Sequence, residues 1–521
     1  MKLTRKLWIA ALVLAGSYAQ AVTLRVSNVG DVQSMDPHSL NETLQLSFTA
    51  SVYEALVGRD KQMNLVPLLA TKWTQPSPTV WRFELRKGVK FHDGTPFTAD
   101  DVVFSFTRAA GDGSDMKGYT SSFKVVRKID DHTVEVETNA PYPILPDVLT
   151  NVVILSKKWC TDNKALTPVD RRKGIENTAS FKANGTGPFI FVEHVKGSHV
   201  SGKKNPDYFR KGLPYLDTFK GVFTLQAAAM LNALQGGQVL AEFRGVSPAE
   251  RDRIVQAMGD KIRVEESSWT LNLLVVFNTE KKPFDDVRVR KALLMAIDRW
   301  GGSQGLSRIS TLRSVGGVIR PGSPMATPEA DLVKLPGFSK DIKASREEAK
   351  KLLAEAGVPN LKFTLWNRNL AMPYTPAGIF LVDQWRQIGV EVEHKQSDTA
   401  PYLASMNSGN FDVAIDFSNL FMDDSSLGLA KYLSLSRAPE NRSRSNDPIL
   451  DKLFDDHMRE RDPAKRKAMI QAFEKRLFEQ AYQQPLLWWH RIVLSHKTVM
   501  GWKMSPSHNL GSDLATVWLN Q

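Results

Sequence analysis

The chain has 521 residues, 42% hydrophobic and 24% charged, ordinary proportions that argue against a disordered chain or a multi-span membrane protein. At roughly 150 residues per domain, such a length suggests about three or four folding units. The formal charge is +12, but the basic residues are scattered, and the longest cluster, Arg171-Arg172-Lys173, is not interleaved with aromatics. No nucleic-acid partner is therefore expected.

The first segment reads as an export signal. Lys2, Arg5 and Lys6 precede the apolar run Leu7–Ala15, and Ala19-Gln20-Ala21 supplies small residues at the right spacing for cleavage after Ala21. The run is short of the roughly 20 apolar residues that span a bilayer. No cysteine follows it for lipid attachment, so a periplasmic destination is expected. Cys160 is the single cysteine, which excludes an intramolecular disulfide and a cysteine-rich metal site.

The mature chain mixes strands and helices, which is α/β character. Thr23–Val26 starts a strand, and Trp81–Arg86 and Val134–Val136 alternate as half-buried strands. Thr98 with Asp101 three residues on makes a helix start of the capping-box type. Val289, Ala292, Leu293, Ala296 and Ile297 form one apolar helical face. Ser345 and Glu348 predict a capping box, with Gly357 ending that helix, and Asp462-Pro463 predicts another helix start. Strands are predicted at Leu361–Leu365, Val390–Glu393 and Phe411–Ile415, with a loop over 316–336.

No enzymatic constellation stands out. Gly301-Gly302-Ser303-Gln304-Gly305 has the G-x-S-x-G spacing of a hydrolase nucleophile elbow, which needs a strand before it and a helix after it. A helix precedes it here, so an exported hydrolase is the lesser reading. The ten histidines are dispersed without H-E-x-x-H spacing, and there is no Walker loop and no G-x-G-x-x-G. No cofactor and no metal ligands are expected.

Several blocks together resemble one family. They are Val32–His38, Leu65–Trp73, Trp81–Gly94 running into Pro96–Val102, Gly185–Phe189, Asn205–Phe209, and Asn278 through Ala292 to Arg299. In order and spacing these are similar to the extracytoplasmic solute-binding proteins of ABC importers, of the peptide/nickel/opine type. The resemblance implies a two-lobed periplasmic-binding-protein fold of the large type II kind, with an extra domain inserted in the first lobe. It maps the first lobe to 22–60, 176–275 and 491–521, the insertion to 61–175, and the second lobe to 276–490. It also implies hinge closure on a small-molecule or peptide ligand, and docking on an inner-membrane permease. A metal-binding, nickel-type member of the same fold is the alternative within the family, prompted by His490.

By the same resemblance, the family's signature aromatics Trp81, Phe83 and Phe91 are structural, and the solute lies in loops lining the cleft. Asn41-Glu42, Trp269, Trp366-Asn367-Arg368 past one strand, Asp416-Phe417-Ser418-Asn419 at the end of another, and Trp488-Trp489-His490-Arg491 at the return crossing are the expected contacts. Tryptophan offers an apolar face and one donor, and Arg368 or Arg491 offers a carboxylate clamp. Peptide-binding members carry an aspartate for the peptide amino end in the loop after Asn419. Here Leu420 or Phe421 takes that position, leaving Asp416, Asp423 and Asp424 as alternatives. The stretch from Asp36 to Lys61 is similar to the glutathione-binding subgroup.

Overall fold

The computed structural model describes residues 21–28, 31–41, 43–170, 173–224, 227–370, 372–419, 425–438, 440–460, 462–507 and 513–520. Residues 1–20 of the expected export signal lie outside them. Two long strands, Ile262–Phe277 and Gln483–His496, pair antiparallel along most of their length and tie the molecule together. Both are apolar at both ends, where each enters a different core. Ile262 packs with Ile492 and Leu494 at one end; Leu273 and Val275 pack with Leu486 and Leu487 at the other. Between these ends the ladder breaks, with register shifts from Ser268 opposite His490 to Asn272 opposite Trp488.

On one side of the pair the sheet continues through Ala241–Glu242, Thr23–Asn28, Thr218–Phe223, His199–Lys204 and Phe189–Val195. Leu24, Phe189, Phe219 and Val493 fill that core. On the other side come Val413–Asn419, Lys362–Arg368 and Glu391–Ser397, with Leu312–Ser314 along Gln483–His496. Leu293, Leu365, Leu381 and Trp385 fill one face of this second lobe, and Tyr402, Phe411, Phe473 and Leu477 the other. A separate four-stranded sheet is built from Ala70–Ser77, Val80–Leu85, Thr133–Thr138 and Phe123–Asp130. Phe83 and Phe91 are buried in its core, and the Trp81 indole donates to the Tyr142 carbonyl at 2.9 Å. These signature aromatics are structural, as the alternation implied.

Asp36, in the first loop, explains why that block has its sequence. Its carboxylate takes a bidentate pair from Arg108, at 2.9 and 2.6 Å, and the Val169 amide at 2.9 Å. Both side chains are fully buried. Burial pushes the Asp36 carboxyl up, but Arg108's charge and hydrogen bonds outweigh it and leave the group below its ordinary value. One loop, one helix and the segment before Thr178 are pinned together by this pair.

Three sequence expectations change. Ser345 is not the cap of its helix: Ile342–Glu355 begins earlier, with Asp341 accepting from the Ala344 amide at 3.0 Å. The alternating runs also extend beyond their predicted ends. Lys362–Arg368 keeps pairing with its parallel neighbour as far as Arg368 opposite Ser397, and Val413–Asn419 pairs to Asn419 opposite Leu271. The residues expected just past these strands are thus their last residues, because neighbouring strands supply ladder partners.

Candidate functional site

The ladder break places Trp269 and Trp489 edge to face, ring centres 5.5 Å apart at 85°. Trp489 in turn meets Tyr374, edge to face at 6.4 Å. Tyr374 opens the helix Tyr374–Arg386, which lies hard against the strand Lys362–Arg368. A Cβ on Gly378 would come within 2.2 Å of His394 Nε2 and 2.6 Å of Asn367 Nδ2. Only glycine permits that approach, and the approach sets the position of Tyr374.

Arg368 follows. Its guanidinium carbon lies 5.2, 5.8 and 5.3 Å from the rings of Tyr374, Tyr402 and Phe417, within cation–π range. Nη1 donates to the Tyr374 hydroxyl at 3.2 Å, while the buried Nε has no partner among the described residues. Burial pushes the Tyr374 phenol up to about 12, against the pull of Arg368. The phenol is therefore neutral, and its own proton finds no acceptor among the described residues. Tyr402 is fixed by donating to the Ile415 carbonyl at 2.7 Å.

Asp416 and Lys431 complete the group. Lys431 Nζ stands 2.6 Å from Asp416 Oδ2, donates also to the Phe417 carbonyl, and sits 5.7 Å from the Phe417 ring. Both side chains are largely buried. Asp416 is thus neutralised from within the protein. Beside it, Asn272 lies in the strand directly opposite Ser418 on one side and Trp488 on the other. It is fully buried, and neither atom of its amide has a partner among the described residues. Trp489 Nε1 and His490 Nδ1 are also buried without partners. Burial lowers the His490 pKa, so its imidazole is neutral.

Comparison with known proteins decides the family. Residues 64–438 match the model of the bacterial extracellular solute-binding proteins, family 5. The chain belongs to that family. The glutathione-binding protein GsiB of Pectobacterium atrosepticum is 30% identical over 420 residues, 78% of this chain and 76% of that protein. The periplasmic oligopeptide-binding protein OppA of Salmonella typhimurium is 26% identical over 509 residues, 90% and 87% of the two chains. In fold the chain is similar to the substrate-binding protein CtaP of Listeria monocytogenes, with a TM-score of 0.82, 22% identity, and 96% and 100% of the two chains covered. The two-lobed architecture with its inserted sheet is that of the family 5 proteins.

Not every residue expected in the site of this family 5 protein is free to meet a solute. Asn367 is fully buried on the opposite strand face. Its Nδ2 donates to the Tyr374 carbonyl at 2.7 Å and lies 3.0 Å from His394 Nε2; its Oδ1 accepts from the Arg368 amide at 2.9 Å. Its polar atoms hold Arg368 and Tyr374 in place. The Trp488 indole is buried and donates to the Gly317 carbonyl at 2.9 Å, opposite in direction to Trp489, as strand alternation requires. Arg491 is buried as well. It donates to the Arg244 carbonyl at 2.8 Å and to the Ser507 carbonyl at 2.8 Å, stitching two first-lobe segments beneath Trp269. Burial draws its pKa down to about 10, with Glu242 opposing. Arg491 is a staple, which leaves Arg368 as the candidate with a donor to spare.

Asn41 donates to the Tyr119 hydroxyl at 3.2 Å, on the inserted domain, and is not brought to the Arg368 group. The Trp366 indole is covered by Lys395, 4.2 Å from the ring centre. Ser418 is buried beside Asn272; Asn419 is placed by its backbone. Glu42 and the loop from Leu420 through Asp423 and Asp424 lie outside the described residues. Sequence reasoning missed Tyr374, Tyr402, Lys431 and Asn272. Tyr374 and Tyr402 sit on helices and Lys431 in the turn after the helix Ser425–Ala430, all without any local motif; Asn272 is a polar residue inside the apolar run Leu271–Phe277, which is a readable signal.

Ser303 lies inside the helix Arg299–Ile309 and donates its hydroxyl to the Arg313 carbonyl. There is no strand-turn-helix elbow at that motif. Among the described residues no three His, Cys, Asp or Glu come together as metal ligands. Nor is any described helix long and apolar enough to cross a membrane.

Proposed function

We propose that this family 5 protein captures a small peptide-like anion between its lobes, in the periplasm, and delivers it to an ABC permease. The observation that carries this reading is Arg368, stacked among three aromatic rings with one buried donor unused, beside a neutral tyrosine hydroxyl. That arrangement suits a carboxylate attached to an apolar or planar body. The relatives' names, glutathione-binding and oligopeptide-binding, support a solute of this chemistry. Asp416, already neutralised by Lys431, offers little to a free ammonium group. Peptides that rely on a charged amino end at this position are disfavoured.

The proposed lobes are 22–60, 176–275 and 491–521 for the first, 276–490 for the second, and 61–175 for the insertion. The ladder break at Ser268–Asn272 supports a hinge there, since its backbone has fewer interstrand bonds to disrupt. The expected solute contacts are Trp269, Trp489, Tyr374, Arg368, Phe417 and Asn272. Titration calorimetry with glutathione, its dimethyl ester and a carboxylate-bearing opine tests the reading. At least one free acid binds, and the ester, which lacks both carboxylates, does not. Equal binding of acid and ester would remove the anion clamp from the account.

A further inference from the structure

A second cavity lies away from the cleft, between the first lobe and the inserted domain. Its volume is about 760 Å³, within the range of small-molecule sites. None of Trp269, Tyr374, Arg368 or Trp489 lines it. One wall is the hairpin of Val57–Arg59 and Leu65–Pro67, and the other is made by Gly501, Lys503, Asp513, Leu514 and Thr516. The walls are carbon-rich, with Ala55, Val57, Val66, Pro67, Val153 and Leu514.

The floor is polar and nearly uncharged. Glu54 is buried, and it accepts from the Tyr208 hydroxyl at 2.7 Å and from Thr186 Oγ1 at 3.1 Å. Burial pushes its pKa up to about 8, so the carboxyl is largely neutral at pH 7.

The rim carries an excess of positive charge. Arg210 is paired with Asp513, and Arg59 with Asp147 at 2.7 Å. The buried Nε of Arg59 has no partner. Lys61 donates to the Gly501 carbonyl at 2.6 Å, and among the described residues neither it nor Lys503 pairs with a carboxylate. Asp60 is ionised, but its carboxylate is turned onto the Gln62 and Asn64 amides at 2.8 and 2.9 Å and pairs with neither lysine. Burial lowers the Lys61 pKa; Asp513 and Glu265 oppose that lowering and Lys503 adds to it. Two lysines that repel at the mouth of an apolar cavity are relieved by an anion between them.

We propose that this cavity is a second binding site, for a small anionic amphiphile of the medium-chain carboxylate class. The head meets Lys61 and Lys503, and the chain lies along Val57, Val66 and Leu514. A ligand there bridges the inserted domain and the first lobe.

The test is calorimetric titration of the full mature protein with decanoate, below its micelle concentration, beside decanol and decyltrimethylammonium. Decanoate is expected to bind once per chain, and the cation is expected not to bind. Lys61→Ala with Lys503→Ala weakens decanoate by about tenfold or more, since charge-assisted bonds to an anion are lost. Val66→Trp fills the cavity and blocks it. Arg368→Ala leaves decanoate binding unchanged, which separates this site from the cleft. Near-ultraviolet circular dichroism matching the parent shows that each variant is folded. If Val66→Trp fails that check, the lysine pair alone decides. No decanoate binding, equal binding of the cation, or a loss caused by Arg368→Ala but not by the lysine pair overturns the proposal.

Discussion

Asn272→Leu separates solute binding from folding. Asn272 is fully buried, and both its amide nitrogen and its amide oxygen lack partners in the empty protein. A buried polar group left unsatisfied costs about 1–3 kcal/mol. Leucine has the same branched shape, so the substitution removes this one unsatisfied amide and opens no cavity. The empty protein is therefore expected to gain about 1–3 kcal/mol, read as a higher midpoint in denaturant unfolding followed by intrinsic fluorescence. In the solute complex the two amide atoms are the natural partners for a peptide group, so the same change removes about 1–3 kcal/mol of binding, or roughly tenfold or more in affinity. Calorimetric titration with the solute recovered from native protein measures that half. Opposite signs for stability and affinity mark a residue kept for function. If Asn272→Leu lowers the midpoint, or leaves affinity unchanged, the amide is structural and the reasoning fails.

Other outcomes follow from the same geometry. Asp36→Ala leaves Arg108 buried without its counter-ion and lowers stability by about 3–5 kcal/mol, measured by denaturant unfolding. Because the folded Asp36 pKa lies below its ordinary value, its contribution is present above about pH 4 and lost as pH falls below that. Glu54 has the reverse sign: its folded pKa is raised from 4.5 to about 8. Relative to Glu54→Gln, the parent loses stability as pH rises from 4.5 toward 8, at up to about 1.4 kcal/mol per unit. A flat difference between the two melting profiles across that window refutes the raised value. Arg368→Ala weakens solute binding about tenfold or more. It also destabilises the protein without solute by about 1.5–3 kcal/mol, because the guanidinium packs on three aromatic rings at about 0.5–1 kcal/mol each.

The sequence carried the fold further than the site. Period-two runs such as Trp81–Arg86 and helix starts such as Thr98 and Asp462 depend on neighbours a few residues away, so local pattern sufficed. Ser345 misled because Asp341 provides an equally good cap one turn earlier. The strand ends were underestimated because Trp366–Arg368 and Asp416–Asn419 are held by ladder partners distant in the chain. The same distance hid the site. Arg368 could be singled out as a candidate clamp, but Tyr374 and Tyr402 reach it from two separate helices, and Lys431 meets the neighbouring Asp416 and Phe417 from a turn distant in the chain. Composition could not tell Arg368 from Arg491. Burial against carbonyls distinguishes them, since Arg491 spends its donors on Arg244 and Ser507 while Arg368 keeps one unused.

Native mass spectrometry of the mature protein, purified untagged from its host, tests the central claim most directly. The account expects one small anionic solute per chain, released on denaturation, rebound on refolding, and absent from Arg368→Ala purified in the same way. A protein that carries no solute, or an Arg368→Ala variant that retains it in full, contradicts the account.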